Sequence, residues 1–281
     1  MKLLRHGPRG QEKPGLMHDD GTVRDLSGLV PDIGGAVISD VGLAMLRGVD
    51  PTALPIVAAG TRLGACVAGT GKFICIGLNY ADHAAESGMQ VPPEPVIFMK
   101  ATSAICGPAD PIIIPRTSVK TDWEVELAVI IGRRAKYVLQ DDAMDYVAGY
   151  AVAHDVSERA FQTERSGQWT KGKSCDNFGQ LGPWLVTRDE VSDPQNLGMW
   201  LTVNGVKRQN GSTKTMVYGV RYLVSYLSQF MSLEPGDVIS TGTPPGVGMG
   251  MKPSPVYLKA GDVVELAIEG LGQQRQDVIA D

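Results

Sequence analysis

Short apolar runs bounded by turn residues recur along the chain, and the strand period outweighs the helical one. Residues 73–76, 124–131, 147–153, 238–240 and 263–268 read as strands on this criterion. Asp20-Gly21, between 15–18 and 22–26, predicts an early hairpin. Asn204-Gly205, between 201–203 and 206–208, predicts a type I′ hairpin, whose two central residues both need positive φ. Helical spacing is scarcer. Val220, Leu223, Val224, Leu227 and Met231 recur at i, i+3, i+4, i+7 and i+11 and predict one amphipathic helix. Ser39 is placed to cap a short helix over 40–47 with Gly48 at its end, and a helical stretch over 80–87 stops at Gly88. Strands outnumber helices and do not alternate regularly with them, so the expected class is α+β rather than a doubly wound sheet. Gly69-Thr70-Gly71 marks the expected boundary between a small N-terminal α+β domain over 1–68 and a larger domain over 69–281.

Composition narrows the function. The 281 residues carry 26 Lys+Arg against 31 Asp+Glu, a net charge of −5, with no basic concentration for a polyanion. No apolar segment suits a membrane span or a secretory leader. Cys66, Cys75, Cys106 and Cys175 form no Cys-x-x-Cys pair and read as free thiols in a reducing compartment. The expectation is a cytoplasmic protein with a small-molecule partner, binding neither nucleic acid nor membrane. Two glycine-rich runs fail on inspection. Gly69-Thr70-Gly71-Lys72-Phe73 has Cys66 where a phosphate loop needs its first glycine and Phe73 where it needs Ser or Thr. Gly246-Val247-Gly248-Met249-Gly250-Met251 lacks the last glycine of a dinucleotide fingerprint and any surrounding βαβ unit.

The chemistry concentrates elsewhere. In Trp123-Glu124-Val125-Glu126-Leu127-Ala128-Val129-Ile130-Ile131, alternation puts Glu124 and Glu126 on one face, about 7 Å apart. Such a pair is either a solvated face or a cation site. The strand continues apolar on both faces, so it is buried, and buried paired carboxylates need compensation. Asp155 ends a second apolar strand, where it either aims into a site or caps the following helix. Together the three acids would suit a hard divalent ion that keeps positions open for water and substrate oxygens.

His83 and Glu86 stand three apart on the short helix, so Glu86 can orient an imidazole able to activate water, unless the two are a surface pair. Lys173, in Lys171-Gly172-Lys173-Ser174, is either a solvated loop lysine or a cation for a developing oxyanion. His154 points to the opposite face from Asp155 and is expected in the core or behind the site.

The ordered set Gly77-Leu78-Asn79-Tyr80-Ala81-Asp82-His83, Trp123-Glu124-Val125-Glu126-Leu127, residues 149–155, Gly172-Lys173-Ser174 and Ile239-Ser240-Thr241-Gly242-Thr243-Pro244-Pro245-Gly246-Val247-Gly248 resembles the fumarylacetoacetate hydrolase superfamily from about residue 70 onward. The resemblance implies a β-rich roll behind a small N-terminal domain, usually as a homodimer. It implies Mg²⁺ (or Mn²⁺) on Glu124, Glu126 and Asp155, water activation by His83 and Glu86 on a lid, and enolate stabilisation by Lys173. Arg159 and Gln162 would meet the substrate carboxylate and the attacking water, and Thr243 would face the substrate. Lys100, which follows Phe98-Met99 where members carry Phe-Lys-Pro, would be a further substrate contact, although Ala101 replaces the proline. The implied reaction is C–C hydrolysis of a 2,4-dioxo acid, in particular a 2,4-diketo-3-deoxy sugar acid, whose tail Gln162, Gln168, Lys171 or Thr243 would contact. Oxaloacetate decarboxylation, acylpyruvate hydrolysis and the relatives labelled ureidoglycolate lyase are the alternatives.

Overall fold

Both hairpins form where the turn residues call for them. In the computed structural model, which describes residues 1–82 and 92–281, Asn204 and Gly205 have φ of 51° and 73°, the two positive values of a type I′ turn. They join β-strands Gly198–Val203 and Val206–Ser212. The Asp20-Gly21 turn joins Lys13–Met17 to Val23–Asp25. Ser39 caps the helix Asp40–Arg47 by accepting from the Gly42 amide at 3.2 Å. The helix Val220–Phe230 buries Val220, Leu223, Val224 and Leu227, while Met231 lies just past its end with extended backbone. The helix expected over 80–87, and with it His83 and Glu86, falls mostly outside the described residues.

The strands, in chain order, are β1 (Lys2–His6), β2 (Lys13–Met17), β3 (Val23–Asp25), β4 (Phe73–Gly77), β5 (Val96–Lys100), β6 (Ile105–Cys106), β7 (Ile112–Ile114), β8 (Thr121–Asp122) and β9 (Val125–Ile131). They continue as β10 (Val147–Asp155), β11 (Ser157–Glu158), β12 (Gly179–Thr187), β13 (Gly198–Val203), β14 (Val206–Ser212), β15 (Val238–Ser240), β16 (Val263–Ile268) and β17 (Gly272–Ala280). Among the described residues they make a ten-stranded sheet, ordered β3-β2-β1-β12-β10-β9-β15-β4-β5 with β6 beside β12, and a five-stranded sheet, β14-β13-β16-β17-β7. A short β8–β11 pair completes the set. The class is α+β with strands dominant. β1 pairs with β12, so the strands of residues 1–25 extend the large sheet.

Two apolar clusters flank the centre of that sheet. Val125, Leu127, Val129 and Ile131 of β9 pack toward the five-stranded sheet and the helix Val220–Phe230. Ala128 and Ile130 face the other way, against Leu3, Leu16, Ile33, Ile38 and Leu46 of the N-terminal segment. Each such aliphatic side chain stabilises the fold by about 1.5–3 kcal/mol when fully buried. The N-terminal segment therefore covers one end of the face that carries the glutamates and leaves the other end for chemistry.

Candidate active site

Strand register decides which side chains meet. β9 and β10 run antiparallel with Ala153 opposite Glu126 and His154 opposite Val125. Side chains alternate along each strand, so Asp155 shares the face of Glu124 and Glu126 while His154 takes the other. The Asp155 amide donates to the Glu124 carbonyl at 3.0 Å and locks the two strand ends together. One carboxylate oxygen from each of Glu124, Glu126 and Asp155 lies within 4.8 Å of the others, and all three residues are buried. That span suits oxygens sharing one hard cation at about 2.1–2.4 Å.

Three buried cations surround this cluster. Lys173 Nζ lies 2.7 Å from Glu124 Oε2 and 2.7 Å from Asp155 Oδ2. Arg159 Nη2 donates to Glu124 Oε1 at 2.6 Å. Lys100 Nζ pairs with Asp155 Oδ1 and donates to the Val156 carbonyl at 2.9 Å. Burial alone would raise the Glu124 carboxyl, but Lys173 and Arg159 outweigh it and hold it well below the usual carboxylate range. Burial likewise opposes the charged form of Lys173, but Asp155 and Glu124 outweigh it and keep the amine protonated. Glu126 is different. Among the described residues its Oε2 accepts from neutral groups, Ser240 Oγ at 2.5 Å and the Gly242 amide at 3.0 Å. Burial, then the charges of Asp155 and Glu124, push its carboxyl up to about 8. A third carboxylate with no cation of its own among the described residues, beside two hard oxygen donors, fits a divalent ion.

Above the cluster lies a cavity of about 140 Å³. Its polar lining is Glu124, Glu126, Arg159, Gln162, Thr243 and Lys173; Ile76, Leu78, Phe98, Trp169, Val247 and Met249 make it largely apolar elsewhere. Trp169 meets Phe98 edge-on, ring centroids 5.2 Å apart, and a Cβ on Gly77 would come within 2.7 Å of the indole. Only glycine at 77 lets the indole close down there.

The structure thus gathers Glu124, Glu126, Asp155, Lys173, Arg159, Gln162 and Thr243 around one spot. Lys100, expected among the substrate contacts, lies outside the cavity lining, with its fully buried amine against Asp155. The Thr243 hydroxyl, expected to face substrate, donates to the Val125 carbonyl at 2.8 Å and accepts from Gln209 Nε2 at 2.8 Å, so it is already committed. Gln168 accepts from the Thr170 amide at 3.1 Å and the Lys171 amine donates to the Arg165 carbonyl, both outside the lining. His83 and Glu86 lie outside the described residues. His154 is fully buried on the opposite face, as expected.

Two residues near the site were not anticipated. Asp122, fully buried, accepts from Arg159 Nε at 2.8 Å and from the Gly248 and Met249 amides at 2.6 and 2.9 Å. Gln209 of β14 accepts from the Val125 amide at 3.0 Å, between the two glutamates, and donates to Pro244 O at 2.8 Å.

The family described as fumarylacetoacetate (FAA) hydrolase C-terminal matches residues 72–279. A Burkholderia multivorans protein, named in general terms as a hydrolase, is 65% identical over 276 residues, covering 98% of each chain. Fumarylacetoacetate hydrolase from Exiguobacterium antarcticum is similar along the whole of both chains, with a TM-score of 0.84 and 38% identity. Maleylpyruvate hydrolase from Sphingobium sp. SYK-6, in complex with manganese(II) and pyruvate, has a TM-score of 0.81 at 30% identity, over 100% of this chain and 99% of that one. For 2-hydroxyhepta-2,4-diene-1,7-dioate isomerase from Mycobacterium marinum the values are 0.74 and 32%, again over 100% and 99%.

Proposed function

The chain belongs to the fumarylacetoacetate hydrolase family, and from that premise we propose that it hydrolyses a C–C bond in a small acylpyruvate, releasing pyruvate and a carboxylic acid. One observation carries this reading: three carboxylate oxygens within 4.8 Å of one another, two of their residues opening onto a small cavity that Lys173 and Arg159 also line. A divalent ion held by Glu124, Glu126 and Asp155 would supply Lewis-acid polarisation of substrate oxygens. Arg159 has five N–H donors, of which Asp122, Glu124 and Gln162 take one each, and the remaining two can grip a carboxylate. His83, oriented by Glu86, takes a proton from water, whose oxygen then adds to C4 of the 2,4-dioxo acid. The C3–C4 bond breaks with its electron pair passing to C3. Lys173 offsets the charge of the resulting enolate, which is protonated to pyruvate.

The apolar walls favour an unadorned acyl group over a hydroxylated one. A 2,4-diketo-3-deoxy sugar acid remains the second reading, favoured by the Gln162 amide in the lining, since a site built for hydroxyls rejects analogues that lack them. The kcat/KM ratio of acetylpyruvate to such a sugar acid separates the two, and preference for the sugar acid removes the apolar reading. Pyruvate release should vanish in EDTA and return with Mg²⁺ or Mn²⁺. Full activity in the chelated protein would overturn the metal-dependent reading. His83→Ala should lower hydrolytic kcat by about 10²–10⁴ while leaving metal binding intact. Oxaloacetate decarboxylation that persists in that variant would confine His83 to water activation.

A further inference from the structure

We infer that Asp122 is a positioning residue that couples the Arg159 guanidinium to the outer wall of the cavity, so that carboxylate grip and wall are set together. The inference rests on the reading of Arg159 as the carboxylate anchor. Asp122 Oδ2 is the shared atom: it accepts from Arg159 Nε at 2.8 Å and from the Met249 amide at 2.9 Å. Oδ1 accepts from the Gly248 amide at 2.6 Å and from its neighbour's amide, Trp123, at 2.8 Å. Four N–H donors on two oxygens, with no exposure to water, make a carboxylate mandatory, because an amide would turn an NH₂ toward two of those donors.

The wall segment is fitted to this seat. A Cβ on Gly248 would stand 2.7 Å from Asp122 Oδ1 and 2.0 Å from the Val256 carbonyl. Trp123 Nε1 holds the same segment by donating to the Gly246 carbonyl at 3.0 Å. Val247 and Met249 from this segment line the same cavity as Arg159. Arg159 is fixed at its other arms by Glu124 Oε1 at 2.6 Å and Gln162 Oε1 at 3.0 Å. A small displacement of the wall therefore moves Oδ2, and with it the plane of the guanidinium that must present two parallel donors.

The test is a double-mutant cycle on oxalate affinity, measured by calorimetry on the Mn²⁺-loaded full chain: wild type, Asp122→Asn, Arg159→Met and the double variant. Asp122→Asn should weaken oxalate binding about tenfold or more and raise the KM for acetylpyruvate more than it lowers kcat. In the Arg159→Met background the same change should alter oxalate affinity by less than about twofold. Independent, multiplying effects would mean that Asp122 merely anchors the segment, and would overturn the coupling. A second measurement needs no variant: oxalate should slow hydrogen exchange at the Gly248 and Met249 amides of the wild type, and unchanged exchange overturns the inference. Wild-type protein that binds no oxalate overturns it as well. Wild type that binds oxalate with this protection but releases no pyruvate from any acylpyruvate sinks the hydrolase reading and leaves the coupling standing.

Discussion

β9 and β10 carry buried polar groups on both faces, and the two faces are built on opposite rules. The acidic face sets three carboxylates against Lys100, Lys173 and Arg159, with a cavity alongside. The other face holds a neutral network. His154 Nδ1 lies 3.1 Å from Gln276 Oε1, and Gln276 Nε2 donates to Pro108 O at 2.7 Å and to Gln274 Oε1 at 2.9 Å. Gln274 Nε2 in turn donates to Val152 O at 2.8 Å and Gly182 O at 2.9 Å, tying β17 to β10 and β12. Burial holds the imidazole down to about 3, so it is neutral at any ordinary pH. Neutral amides and a neutral imidazole clamp strands without burying a charge. Charges taken from water at much higher cost are kept where they can act on a ligand.

That contrast can be broken by mutation. The largest effect is expected on the acidic face, where Lys173→Ala should lower kcat by about 10²–10³, the worth of one positioned oxyanion donor. Steady-state pyruvate release measures it, and activity within threefold of wild type would remove Lys173 from the chemistry. Glu126→Gln should weaken Mn²⁺ binding by about 10–100-fold, read by calorimetry, because a neutral amide replaces a carboxylate of the cluster that pairs with no cation among the described residues.

The pH response sharpens the same point. Without metal the folded-state Glu126 carboxyl sits at about 8 against an ordinary value of 4.5. Between those values the folded chain holds a proton that the unfolded chain has lost. The stabilisation is full below about 4.5 and disappears as the pH climbs through about 8. Thermal unfolding in EDTA should show Tm falling over that window from this group, and added Mn²⁺, which displaces the proton, should bind more tightly as pH rises. A metal affinity independent of pH from 5 to 8 would contradict the assignment. The smallest catalytic effect belongs to the neutral face. Gln276→Leu should cost about 1–3 kcal/mol of stability in denaturant titration and leave kcat within twofold. A large loss of kcat there would dissolve the distinction between the faces.

Local signals explain what could be read from the chain directly. The Asn204-Gly205 turn, the Ser39 cap and the apolar stripe of Val220, Leu223, Val224 and Leu227 each depend on neighbours within a few residues. The glutamate pair was legible because alternation along one strand fixes its face, and Asp155 because it ends an apolar run. Asp122 has the parity of Glu124 and Glu126, so extending the alternation two residues upstream reaches it. Gln209 has no such signal, since its partners Val125 and Thr243 are 84 and 34 residues away. The seat of Lys100 against Asp155 is equally non-local, a separation of 55 residues, and sequence placed that lysine on the substrate side. The pairing of β4 with β15, which brings Phe73 beside Val238, joins the sheet over a far longer stretch of chain that no periodicity reports.

The Gln209 bond also bears on how the molecule assembles. The amide between the two glutamates takes its partner from β14, a strand of the other sheet, so neither sheet alone completes the arrangement of donors. During refolding the cavity can appear only after the sheets have docked, a step governed by long-range closure rather than by local turns. An ion that binds only the docked form stabilises that docking by mass action, so metal availability in the cell would set how much of the chain is finished as well as how much is active.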